Sequence, residues 1–235
     1  MKKSRDGESV IAFSLDVDWA DDEMLAYALQ LFRDKKIPLT VFATHKTKIL
    51  YDPPDGIDIG IHPNFFYTKR HRNVVADLLR LYPNARGVRS HGLFEYSNLM
   101  DTYNDLGLAW DSSQLLYLCS HIKPYRHPSG IVRLPIFWED DDYLRLQPDW
   151  AVEKLNLREP GVKCLDFHPA HLRINSFSPD QYCHVKKHKF SKAAVAEAEY
   201  KGRGKGIRNF FNDVVRFIAQ NKLAISTCKE VALWA

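Results

Sequence analysis

The chain has 235 residues, 45% of them hydrophobic and 26% charged, with a formal net charge of +4. That composition describes a soluble globular protein with no run of about 18 apolar residues to span a membrane, and its mild charge excludes a nucleic-acid binder. Cys119, Cys164, Cys183 and Cys228 are scattered without zinc-finger or Cys-x-x-Cys spacing, so they read as reduced thiols and not as a disulfide framework.

The first ten residues, "MKKSRDGESV", are basic but lack the apolar stretch of a secretion signal, and a cytoplasmic location is expected. Residues 10–18 read as a strand and 21–35 as a helix whose Leu25, Leu29 and Phe32 share one face. Asp21 or Asp22 suits its N-cap, where a carboxylate meets the positive end of the helix. A strand at 38–43, a loop around "YDPPDG" and a strand at 57–62 follow. Next come a helix near 72–82, a strand at 86–91 and a helix near 96–106. Further strands are expected at 108–111, 131–138, 162–168 and 223–227, with a helix at 207–221. The lysine-rich segment 185–208 reads as a solvated loop, with a lid over an anionic substrate as the alternative. Its "GRGKG" lacks phosphate-loop spacing and a preceding strand.

Such alternation argues for a largely parallel sheet, open or closed into a barrel. Period-2 counting puts Ser14, Asp16 and Asp18 on one face of the first strand, opposite Phe13, Leu15 and Val17. The same counting groups Gly60 with His62, Gly87 with Arg89 and His91, Ala109 with Asp111, and Cys164 with Asp166 and His168. An open doubly wound sheet buries both faces and favours continuous apolar strands. Strands whose polar faces end in ionisable groups fit a barrel with a polar mouth at their C-terminal ends. Aspartates, histidines and one arginine converging there suggest a divalent metal site, with Zn²⁺ or Co²⁺ suited to imidazole and carboxylate donors.

At this point the residues resemble a known family. "AFSLDVDWADDEMLAYALQLFRDKKIPLTVFAT" is similar to the opening of the polysaccharide deacetylases with NodB homology, carbohydrate esterase family four. "DIGIHPNF", "GVRSHG", "LGLAWDSS" and "LDFHP" resemble that family's later motifs in the right order, and the likeness runs over about residues 10–232. The "RSHGL" spelling is similar to a subgroup found with surface-polysaccharide (O-antigen) biosynthesis genes. The resemblance implies an α/β fold, an irregular (β/α) barrel of about seven strands, forming a single catalytic domain over residues 1–235. It also implies metal-dependent removal of an acetyl group, N-acetyl foremost, from a saccharide or a nucleotide- or lipid-linked sugar precursor. By that resemblance Asp16 is the general base, Asp18 and His62 are metal ligands, Arg89 orients Asp16 and His168 is the general acid. Asp166, on the same strand face, is expected to keep His168 protonated. One divalent ion is implied, Zn²⁺ first and Co²⁺, Ni²⁺ or Mn²⁺ as alternatives.

One motif departs from the family. The second is usually His-x-x-x-His, yet Phe66 stands four residues after His62. His91, sharing a strand face with Arg89, is the preferred third ligand, with His71 or no third ligand as alternatives. Trp138, at the start of "WEDDD", is expected at the mouth, stacking on a sugar ring. The incomplete motif leaves open two rival functions: a non-catalytic sugar-binding module on the same barrel, and a metal-dependent amide hydrolase for a non-sugar substrate.

Overall fold

The computed structural model describes residues 7–146 and 149–235, so the reading of the chain start concerns residues that lie mostly outside it. The N-terminal half runs β1 (Ser9–Asp16), α1 (Asp22–Asp34), β2 (Leu39–Ala43), β3 (Ile57–Ile61), α2 (His71–Leu81), β4 (Gly87–Val88), α3 (Leu99–Asp105) and β5 (Trp110–Asp111). There follow β6 (Tyr125–Arg126), β7 (Val132–Arg133), β8 (Trp138–Glu139), α4 (Asp140–Arg145) and β9 (Gly161–Phe167). The chain then continues through α5 (Pro169–Ile174), α6 (Pro179–Lys187), α7 (Lys192–Lys201), α8 (Ile207–Gln220), β10 (Ala224–Ser226) and α9 (Cys228–Ala232). Among the described residues no helix is long and apolar enough to cross a membrane.

Local chemistry explains the first unit. Asp21 caps α1 by accepting a hydrogen bond from the Met24 amide at 2.8 Å, while Asp22 and Glu23 meet the positive end of the helix. The buried face of α1, including Leu25, Ala28, Leu29 and Phe32, packs on Phe13 and Leu15 of β1. On its other face β1 turns Ala12, Ser14 and Asp16 inward.

Among the described residues the sheet has ten strands, against about seven expected, because several are two-residue pieces. Its order is β6-β7-β5-β4-β3-β2-β1-β9-β8, and β10 shares the β2 side of β1 by pairing with Val10–Ala12. Every named pairing is parallel except β6 against β7. The sheet curls into a half-barrel, and one run of chain links its two ends. The Leu134 amide bonds to Asp111 on the β5 side, whereas the Phe137 amide bonds to Cys164 on the β9 side. A parallel bridge between Leu115 and Ile136 joins the ends further.

The interior is layered. Ala12, Phe42, Trp110, Val162 and Cys164 form an apolar plug closed from below by Cys228, Val231 and Ala232, the last three from α9. Above them lies a polar layer of Ser14, Arg89, Ser112 and Asp166, all fully buried. The mouth opens above that layer.

The segment 185–208 is mostly helical, not a solvated loop. Ala194, Val195 and Ala198 of α7 pack with Ile174 and Val185 into a small satellite core. Two of the three buried α7 residues are alanines among lysines and glutamates, so the apolar face is faint in the sequence.

Candidate active site

β1 ends at Asp16, and the chain turns through Asp18 at a φ of 49°, a left-handed conformation that Asp tolerates better than most residues. Asp18 is therefore off the strand, yet its carboxylate reaches the mouth. Its Oδ1 lies 3.3 Å from His62 Nε2 and 3.0 Å from His91 Nδ1, and those two nitrogens are 3.3 Å apart. Donors about 2.0–2.1 Å from a tetrahedral ion stand about 3.3 Å from one another, so this triangle fits a divalent metal. Burial pushes the Asp18 carboxyl up, but hydrogen bonds from His62 and His91 and the nearby His168 charge outweigh it and hold it well below the usual range.

His91 reaches this position by a route other than the expected one. The strand stops at Val88, and His91 begins a 3-10 turn, His91–Leu93. Gly92 makes the turn possible with a φ of 61°, and a Cβ there would stand 2.7 Å from the Phe66 ring. Phe66 thus braces the turn that presents His91. His71 lies elsewhere, at the start of α2, with its ring against Phe65, Phe94 and Tyr96.

Arg89 is fully buried below the triangle. Its Nη1 donates to Asp16 Oδ1 at 2.9 Å, to Ser14 Oγ at 3.0 Å and to Asp166 Oδ1, while Nη2 and Nε bond Ser112. The other Asp16 oxygen lies 3.6 Å from His62 Nδ1. Burial and the neighbouring Asp16 charge raise Asp166 well above the usual carboxylate range, against the pull of Arg89.

Asp166, expected to keep His168 protonated, lies near the ring but is not its hydrogen-bond partner. It is engaged by Arg89 and Ser14, and Asp140 takes the role instead. His168 Nδ1 lies 2.6 Å from Asp140 Oδ1, and the His168 amide donates to Asp140 Oδ2 at 2.8 Å. Burial alone would lower the His168 pKa, but the Asp140 and Asp141 charges outweigh it and hold the ring well above its ordinary value. Its Nε2 faces Asp18 Oδ2 at 3.9 Å.

Trp138 is a second correction. Its side chain is fully buried on the helix-facing side of β8, packed on Tyr143, Phe167 and Phe210, and touches no part of the mouth. Trp19 and Phe66 are the exposed aromatics beside the site, each edge-on to His91. Sequence reasoning also missed Glu139, Asp140, His171 and Tyr182. Glu139 pairs in register with Asp166, and burial pushes its carboxyl up to about 7. The "WEDDD" cluster marked this neighbourhood but not which acid faces which partner.

Comparisons with known proteins follow the same outline. A family model described as WbmS-like polysaccharide deacetylase matches residues 13–186. A solved candidate polysaccharide deacetylase involved in O-antigen biosynthesis, from Bordetella bronchiseptica, is 25% identical. The match covers 88% of this chain and 90% of that one, with a TM-score of 0.81. A candidate polysaccharide deacetylase from Mycobacterium smegmatis shares the fold at 16% identity, 97% and 91% coverage and a TM-score of 0.59. So does a family 4 carbohydrate esterase pseudoenzyme from Bacillus anthracis, at 11% identity, 96% and 66% coverage and a TM-score of 0.53. A search of curated proteins finds no match.

Proposed function

Because the chain belongs to the WbmS-like polysaccharide deacetylase family, we propose that it hydrolyses an N-acetyl group on a saccharide or saccharide precursor of surface-polysaccharide synthesis. The observation that carries this reading is the triangle of Asp18, His62 and His91 beside Asp16 and His168. The O-antigen assignment of the Bordetella bronchiseptica relative supports the choice of substrate class. A nucleotide- or lipid-linked sugar handled in the cytoplasm by one catalytic domain completes the proposal.

A divalent ion held by Asp18, His62 and His91, Zn²⁺ foremost, would polarise the acetyl carbonyl and lower the pKa of the attacking water. Asp16 takes the proton of that water as oxygen bonds to the acetyl carbon, and Arg89 fixes the angle of its carboxylate. His168, kept protonated by Asp140, passes its Nε2 proton to the sugar nitrogen as the carbon–nitrogen bond breaks. Trp19 and Phe66 take over the sugar-facing role first given to Trp138, since exposed rings beside a polar centre suit a pyranose face.

Acetate release tests the proposal, using N-acetylated and O-acetylated saccharides, nucleotide-linked N-acetyl sugars and simple cyclic amides. Release from N-acetyl saccharides is expected. Release from cyclic amides alone would move the substrate outside sugars, and saccharide binding without turnover would leave a non-catalytic binding module.

A further inference from the structure

His171 has no part in the chemistry above and Asp141 enters it only through the charge it places near His168, yet both are built against the site. His171 is almost fully buried on α5, with its ring 4.4 Å from that of Tyr182. Its Nε2 lies 2.6 Å from Asp141 Oδ1 and its Nδ1 lies 2.8 Å from Ser176 Oγ. A carboxylate only accepts, so Nε2 carries a proton and donates it to Asp141, while Nδ1 is tied to the serine hydroxyl. One Asp141 oxygen is thereby pinned, and the other, Oδ2, stands 4.0 Å from His168 Nε2. The Asp141 side chain is 55% exposed at the mouth. Burial raises its carboxyl, but the His168 charge and the His171 bond outweigh that and hold it well below the usual range.

The atom that leaves the acetyl group must sit within hydrogen-bond reach of His168 Nε2. With contacts of about 2.9 Å, one atom can touch both Nε2 and Asp141 Oδ2 across a 4.0 Å gap. An amide nitrogen has an N–H to offer Asp141 before the bond breaks. After cleavage it carries the His168 proton as well, and the amine gains another from water near neutral pH. An ester oxygen has only lone pairs until it has left, and these face an anion.

We propose that Asp141 is a specificity-determining residue that accepts the N–H of the scissile amide and holds the amine product, selecting N-acetyl over O-acetyl groups, with His171 as its positioning residue. This rests on the deacetylase reading, and the reaction balances as hydrolysis. Water's oxygen bonds to the acetyl carbon, the carbon–nitrogen bond breaks, Asp16 takes one proton and His168 gives one to nitrogen.

Two measurements on wild type and Asp141→Ala test it. The first is kcat/KM on the N-acetylglucosamine tetramer and on an O-acetylated xylo-oligosaccharide. The variant should lose about 10–100-fold more on the amide than on the ester, the scale of a charge-assisted hydrogen bond, because any weakening of His168 falls on both substrates alike. His171→Ala should move the amide-to-ester ratio the same way, and His171→Gln, which keeps an N–H donor, should restore it. The second is calorimetric affinity for the glucosamine tetramer against its N-acetylated form near pH 7, which needs no turnover. Wild type should prefer the amine form, and Asp141→Ala should lose that preference. If wild type releases no acetate yet binds the amine through Asp141, the deacetylase reading fails and the amine site stands. Equal losses on amide and ester, or an amine affinity indifferent to Asp141, overturn the proposal.

Discussion

His168 and Asp140 are joined twice: the ring Nδ1 lies 2.6 Å from Asp140 Oδ1, and the His168 amide donates to Oδ2 at 2.8 Å. The pair fixes both the tilt of the ring and its charge. An imidazolium held this way presents Nε2–H to the mouth at a pH where a free histidine is already neutral.

A pH dependence follows. Folding raises the His168 pKa above the ordinary 6.5, so the interaction stabilises the protein fully below that value and fades as pH rises through the folded pKa. The same pKa sets the alkaline limb of kcat/KM. Asp140→Asn should move that limb down by about one unit or more, the scale of an opposite charge in contact. A pH–rate profile checks this, and an unmoved limb would remove Asp140 from the role.

Arg89 offers a stability prediction. It is fully buried and bonds Asp16, Asp166 and Ser14 through Nη1 and Ser112 through Nε and Nη2. Arg89→Met would leave buried carboxylates unpaired, at a cost of about 3–5 kcal/mol in urea unfolding. Arg89→Lys should recover little, because one ammonium cannot reach all those acceptors in the fixed fork geometry. A lysine variant of wild-type stability would contradict the account.

Much of this site was legible in the sequence, and the exceptions have physical reasons. Strands β1, β3 and β9 are long enough for period-2 counting to put Asp16, His62 and Asp166 on inward faces. Trp138 failed because a place at the end of an apolar strand does not say which face its ring takes, and the run changes partner between Leu134 and Phe137. His91 was placed near Asp18 for the wrong reason: the strand ends at Val88, and a glycine turn presents the ring. Naming Asp166 as the group that keeps His168 protonated overlooked Asp140, because counting faces along β9 does not show an acid that reaches the ring from the start of α4. The α7 helix was missed because its buried face is mostly alanine.

The correction at Trp138 makes its own prediction. Trp138→Ala should destabilise the fold by about 3–5 kcal/mol, as removal of a buried aromatic does, while Trp138→Phe should leave saccharide affinity unchanged. Trp19→Ala, on an exposed ring, should instead weaken saccharide binding on the order of tenfold with little change in stability. Thermal unfolding and calorimetric titration of these variants separate the two roles.

The most direct test of the central claim, that Asp18, His62 and His91 hold the ion a deacetylase needs, is a metal titration of chelator-stripped protein with bound metal and acetate release followed together. Both should rise in step and saturate at about one Zn²⁺ per chain. His91→Ala should weaken the metal by orders of magnitude, whereas His71→Ala, whose ring packs on Phe65, Phe94 and Tyr96, should match wild type. Acetate release that needs no metal, or a metal affinity that follows His71 and ignores His91, would contradict the account.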